Sequence, residues 1–147
     1  MPEPKRDAVV AVLVRGGRFL VIRRGPQVPR AGYWMPVSGR VEPGETQPEA
    51  LVREVREEVG LAAHPLAKVW ESDTDDGTFR LHWWTAAVEP GEPVLDTAEV
   101  SDARWVSAAE FGRLRPTFTD HRRFFHRIAP GLPVAYRPAG GQDEDRD

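Results

Sequence analysis

The chain has no cysteine, and only two of its 20 basic residues, Lys5 and Lys68, are lysine. Without cysteine there is no disulfide scaffold, no thiol nucleophile and no cysteine-ligated zinc. No apolar run approaches the roughly 18 residues that a membrane-spanning helix needs. The opening stretch MPEPKRDAVV lacks the apolar h-region of a secretory signal. These absences give the expectation of a cytoplasmic protein with no membrane partner. An excess of positive charge is missing as well. With 23 acidic against 20 basic residues the net charge is −3, which speaks against a broad footprint for duplex nucleic acid. What is present is ordinary for a globular chain: 147 residues, 40% hydrophobic and 29% charged. That length predicts one domain, residues 1–137, followed by a small acidic tail, PAGGQDEDRD at 138–147, expected to be disordered.

The Val-rich run Ala8–Val14 and the run Phe19–Ile22 flank Arg15-Gly16-Gly17-Arg18, which reads as a β-hairpin. Residues 25–33, with two Gly and two Pro, read as a loop, and Trp34–Val41 as a short extended segment interrupted by Pro36. Thr46 and Glu49 form a capping box opening a helix that stops at Gly60. Strands are expected at Lys68–Ser72 and Phe79–Val88, joined by a turn at Asp75-Asp76-Gly77, and at Arg104–Val106. Ser107 and Glu110 form a second capping box, and Asp120 is expected to cap a last helix that Pro130-Gly131 closes. The order strands, helix, strands, helices predicts an α/β or α+β layered domain.

The helix carries the most chemical information. At 100° per residue from Glu54, Leu51, Val55, Val59 and Val52 fall at about 60°, 100°, 140° and 160°, one apolar stripe bound to face the core. Glu58, Glu54 and Glu57 fall at about 40°, 0° and −60°, directly beside that stripe. Like charges at this spacing destabilise a helix by a few tenths of a kcal/mol per pair, and the C-terminal half is where the macrodipole disfavours anions. Hard oxygen ligands gathered in this way are what a divalent cation such as Mg²⁺ requires.

Gly39 to Leu61 reads GRVEPGETQPEALVREVREEVGL. This resembles the Nudix box, G-x5-E-x7-R-E-U-x-E-E-x-G-U with U aliphatic. Gly39, Glu45, Arg53, Glu54, Val55, Glu57, Glu58, Gly60 and Leu61 all match at the required spacing. The preceding GYWMPVSG is similar to the family's approach to the box, and the weaker resemblance extends over about residues 7–128. It implies a Nudix fold, a mixed β-sheet sandwiched between helices. It also implies a Mg²⁺- or Mn²⁺-dependent hydrolase that cleaves a pyrophosphate bond in a nucleoside diphosphate linked to another moiety. Such a substrate repels a nucleophile until cations neutralise its oxygens.

By the same resemblance Glu54, Glu57, Glu58 and the backbone carbonyl of Ser38 are metal ligands, and Arg53 pairs with Glu45 to hold the loop against the helix. Glu54, Glu57 and Glu99 are the candidates for proton transfer, Glu99 standing in AEVSDARWV as base or extra ligand. Arg24 and Arg30 are candidates for gripping phosphates, and Trp34, Tyr33, Phe79, Trp83 or Trp84 for stacking on a base. Strand alternation sends Trp83 and Trp84 to opposite faces, so at most one is expected in the core, and the exposed one is a candidate substrate platform or contact in a homodimer. His64, His82, His121 and His126 lack metal-ligand spacing and read as surface or structural. Two other functions fit the same fold, a nucleotide-binding regulator without turnover and a pyrophosphohydrolase acting on the 5′ end of RNA. An intact box speaks against the first, and the absence of a basic stripe against the second.

Overall fold

The computed structural model describes residues 4–132; the acidic tail falls outside the described residues. Seven strands form one mixed sheet: β1 (Arg6–Arg15), β2 (Arg18–Arg24), β3 (Trp34–Met35), β4 (Val37–Arg40), β5 (Ala63–Asp73), β6 (Phe79–Val88) and β7 (Val100–Val106). The path runs β3-β2-β1-β6-β5, with β4 also paired to β1 and β7 to β2. Among the strand pairs of the described residues, β1 and β6 run parallel and the others antiparallel.

The continuous apolar run of β1 follows from its central place, because both of its faces are covered. Val9, Ala11 and Leu13 face α1 (Gln47–Val59), while Ala8, Val10, Val12 and Val14 face the other layer. That second layer is built from α2 (Ala108–Phe111), α3 (Thr119–Arg123) and a π-helical turn at Phe124–Ile128, with Phe111, Phe124 and Phe125 all buried. The expected helix–sheet–helix sandwich is the observed architecture. In the β1–β2 hairpin Gly16 and Gly17 have φ of +57° and +78°, the left-handed pair that a two-residue turn demands.

Both capping boxes form. Thr46 Oγ1 accepts from the Glu49 amide at 3.2 Å while the Thr46 amide donates to Glu49 Oε1 at 2.9 Å, and Ser107 and Glu110 repeat the arrangement. Leu51, Val55 and Val59 are wholly buried, as the stripe requires, but Val52 is only half-buried. It lies at the stripe's margin and lines an open recess with Pro48 and Pro65 instead of entering the core.

Other expectations need correction. Strand β5 begins at Ala63, not Lys68, because it is an edge strand whose register shifts at Pro65, and an edge bulge tolerates a residue with no amide hydrogen. Strand β7 likewise begins four residues before Arg104. Asp120 does not cap the last helix: the helix starts at Thr119, after Phe118, and the Asp120 carboxylate is committed elsewhere. It accepts from Ser72 Oγ at 2.7 Å and from His121 Nδ1 at 2.8 Å. Trp83 is fully buried, but Trp84 is not exposed either. With helices on both faces of the sheet, Trp84 packs against the α1 core and its indole donates to Gln47 Oε1 at 2.8 Å.

Candidate active site

Strand β4 and helix α1 meet at Gly39. A Cβ built there would overlap the carboxyl group of Glu54, so glycine leaves that carboxyl room to lie against the strand end. Ser38 precedes it, paired across the sheet with Val10. The loop from Gly39 to Thr46 is held by Arg53. Its Nε and Nη2 reach Glu45 Oε2 and Oε1 at 2.6 and 2.9 Å, a two-pronged pair, and Nη2 also donates to the Arg40 carbonyl at 2.9 Å. The Arg53–Glu45 pairing expected from the sequence therefore forms. Hydrogen bonds from Arg53 and the Glu42 amide hold the Glu45 carboxyl down to about 2.

The three helix carboxylates occupy different environments. Arg53 Nη1 lies 2.9 Å from Glu54 Oε2 and 3.3 Å from Glu57 Oε1. Glu57 is turned outward, with 58% of its side chain exposed, against 13% for Glu54. Burial pushes the Glu54 carboxyl up in spite of Arg53, helped by the charge of Glu57. Glu58 is raised furthest, to about 8, first by burial and then by Glu54, to which it is hydrogen-bonded, and by the charge of Glu99. Arg24 opposes that rise.

Glu99 arrives from the loop before β7, which is pinned to the end of α1. The Asp96 amide donates to the Glu58 carbonyl at 3.0 Å, Glu99 N–H to the Asp96 carbonyl at 2.9 Å, and the Gly25 amide to the Glu99 carbonyl at 2.8 Å. Two distant segments thus bring the charge of Glu99 to bear on Glu58, while Glu54 lies against Gly39. Proximity of Glu99 to Glu58 could not be derived from spacing, because it depends on how the 90–99 loop docks.

The substrate candidates divide. Arg24 faces Glu58, its Nε donating to the Pro29 carbonyl at 2.6 Å. Arg30 is exposed. Trp34 is not open to a base as expected: it is 5% exposed, within the second core, with the guanidinium of Arg104 4.6 Å from its ring centre. Of the histidines, His82 and His121 are buried and engage Asp7 and Asp120, as structural residues do. Phe118, from a segment with no motif, lies against Tyr33 with ring centres 4.7 Å apart, a contact the sequence did not signal.

As the side chains stand, no three acidic or imidazole groups among the described residues are spaced to close on one ion. The donor chemistry nonetheless fits a hard cation. Two half-buried carboxylates are raised first by burial and then by neighbouring acids, and the strand end beside Glu54 carries no Cβ.

Comparison with known proteins accords with this geometry. The NUDIX domain family model matches residues 4–128, and the chain belongs to that family. Nudix hydrolases generally use a divalent metal. The chain is 46% identical over 57 residues, 39% of its length, to CTP pyrophosphohydrolase of Escherichia coli, covering 42% of that protein. It is 31% identical over 120 residues, 79% of its length, to the NAD-capped RNA hydrolase NudC of Deinococcus radiodurans, again covering 42% of the relative. The chain thus spans about two fifths of the length of these curated relatives. Among solved structures it resembles a MutT NUDIX hydrolase from Burkholderia pseudomallei, with a TM-score of 0.69 at 27% identity, covering 86% of this chain and 99% of that one. A MutT protein from Methanosarcina mazei gives a TM-score of 0.75 at 24% identity, covering 86% and 94%. No described helix is long and apolar enough to cross a membrane.

Proposed function

We propose that this chain hydrolyses a pyrophosphate bond in a nucleoside diphosphate linked to another moiety, acting in the cytoplasm with Mg²⁺, or Mn²⁺ in its place. The observation that carries this reading is the Glu54 carboxyl lying against Gly39 beside Glu58, whose own carboxyl is raised to about 8 by burial and then by Glu54 and Glu99. A structural role would not favour two half-buried acids side by side with the charge of a third acting on them.

In this reading Glu54, Glu57, Glu58 and the Ser38 carbonyl hold the cation. When bound, a divalent cation neutralises pyrophosphate oxygens and lowers the pKa of water at the site. Glu99, exposed at the rim and next to Glu58, takes the proton of the attacking water. Arg53 is a positioning residue: its pairing with Glu45 fixes the loop that carries Gly39 against the helix. Arg24 and Arg30 supply positive charge to the substrate phosphates. A regulator without turnover is disfavoured because all the box glutamates are present.

The test is a screen of about a hundred nucleotide derivatives with Mg²⁺ or Mn²⁺, reading phosphate with and without added phosphatase. Hydrolysis that depends on the cation and is lost in Glu58→Gln supports the reading. Tight nucleotide binding with no turnover of any compound would replace it with the regulator.

A further inference from the structure

The face of α1 turned away from the acids carries a pattern of its own. At 100° per residue from Glu54, Val52, Arg56 and Glu49 fall at about 160°, 200° and 220°, on the side of the helix opposite Glu54 and Glu58. Glu49 and Arg56 are exposed, and Val52 stands half-buried between them. Around Val52 the surface is apolar. Val52 lines the open recess with Pro48 and Pro65, and Leu66, the residue after Pro65, is 47% exposed. A helix face meant for water alone carries polar residues at its centre.

The two charges on this face are free to look outward. Arg56 has no side-chain hydrogen bond or ion pair among the described residues, whereas Arg53 is bound on several sides. Glu49 gives Oε1 to the Thr46 amide and keeps its second oxygen unused. Seven residues separate Glu49 from Arg56, two helical turns or about 10.5 Å, and Val52 lies near the midpoint. The order acid, apolar, base is its own complement when an antiparallel copy of the helix lies against it. Glu49 of each helix then faces Arg56 of the other, with Val52 against Val52 between them. A parallel copy would set like charges together. Complementarity of a patch to itself about one axis is what a two-fold contact between identical chains requires.

Other surfaces of the chain suit self-association less well. The indole of Trp84, expected as a homodimer contact, packs against the α1 core. The β5 edge carries Lys68 and shifts register twice, at Pro65/Ala67 and at Lys68/Trp70, features that prevent a further strand from pairing there.

We propose that this face of α1 binds a second copy of the chain, with a two-fold axis at Val52 and two Glu49–Arg56 ion pairs across it. Withdrawal of Val52, Pro48, Pro65 and Leu66 from water supplies the affinity, while the ion pairs set register and direction. Glu54 and Glu58 lie on the far side of the helix, so both acid sites stay open in the dimer. The contact is independent of whether the chain hydrolyses pyrophosphate.

The experiment is sedimentation velocity of the whole chain from about 1 μM to about 200 μM, the range in which a modest interface dissociates. The wild type should pass from monomer to dimer in this range, and added salt should weaken the dimer. Arg56→Glu and Glu49→Lys each set like charges opposite one another and should each weaken self-association by about ten-fold or more. An equimolar mixture of the two variants should dimerise again, because every altered charge then faces its opposite on the other chain. Mixing does not cure a defect of folding, so this recovery separates an interface from a structural effect. Glu49→Lys loses one arm of the capping box. If circular dichroism shows it unfolded, Val52→Asp and Val52→Lys give the same test, each repelling itself at the axis and pairing with the other. A wild type that stays monomeric throughout would overturn the proposal. So would single variants that dimerise like wild type, or a mixture that remains as monomeric as its components.

Discussion

The Glu54 carboxyl lies where a Cβ on residue 39 would be, so Gly39, which has none, leaves it that place. The Glu54 side chain can swing away, so Gly39→Ala should cost little stability, about 1 kcal/mol or less for displacing a flexible group. It should nevertheless move a carboxylate out of the acid cluster. The expected result is a loss of turnover of ten-fold or more at fixed metal, with a nearly unchanged thermal melt. Normal turnover would show that the close approach serves packing alone.

Arg53 is bound on four sides, to Glu45, Glu54, Glu57 and the Arg40 carbonyl. Lysine keeps the charge but has no fork to match both Glu45 oxygens. Arg53→Lys should therefore loosen the 39–46 loop and lower turnover, by about ten-fold, with α1 still folded by circular dichroism. The acid limb of stability provides a second readout. Because the Glu45 carboxyl is held below its ordinary value, its contribution is present above about pH 4.5 and fades as pH falls toward 2. Glu45→Gln should flatten stability over that window, melting below wild type at neutral pH and converging on it toward pH 2; an unaltered acid limb would count against the pairing.

Ser72 joins a buried indole to a half-buried carboxylate, accepting from Trp83 at 3.0 Å and donating to Asp120 at 2.7 Å. Ser72→Ala leaves the indole without its acceptor and takes a donor from a half-buried carboxylate, which should destabilise the fold by about 1–3 kcal/mol. Urea unfolding at pH 7 measures it. A midpoint equal to wild type would mean that water replaces the hydroxyl at no loss.

How far the fold and site could be read in advance depended on the range of the interactions involved. The two capping boxes, the Gly16-Gly17 hairpin and the buried stripe of Leu51, Val55 and Val59 rest on neighbours within a few residues, and all were legible. The Arg53–Glu45 pair was legible because the family pattern carries it. Val52, Trp84 and Trp34 were misjudged for a common reason: periodicity says which side of an element a residue occupies, but not how far the next layer extends over it. Glu99 reaches Glu58 only through the docking of the 90–99 loop on the end of α1, and Phe118 reaches Tyr33 only through the return of the last helix across the sheet. Neither approach leaves a local sequence signal.

Glu58 gives the sharpest separation between a site and a scaffold. Its carboxyl is raised to about 8, above its ordinary value near 4.5, by burial and by the neighbouring acids Glu54 and Glu99. The folded protein therefore holds a proton there that the unfolded chain has released. Between about pH 4.5 and 8 the unfolded state binds fewer protons, so stability from this group is full below that window and is lost as pH rises through it. Glu58→Gln mimics the protonated form at nearly constant volume. Without metal it should melt at the wild-type temperature near pH 4.5 and several degrees higher at pH 9, where the wild type must bury a charge among like charges. Activity should move in the opposite direction, falling on the order of a hundred-fold, since charge neutralisation in the transition state is worth several kcal/mol. Melting across pH 4–9 in chelator, beside Mg²⁺-dependent hydrolysis of a substrate found in the screen, measures both. A Gln variant that melts lower than wild type at pH 9 yet hydrolyses normally would make Glu58 a structural partner and remove it from the metal site.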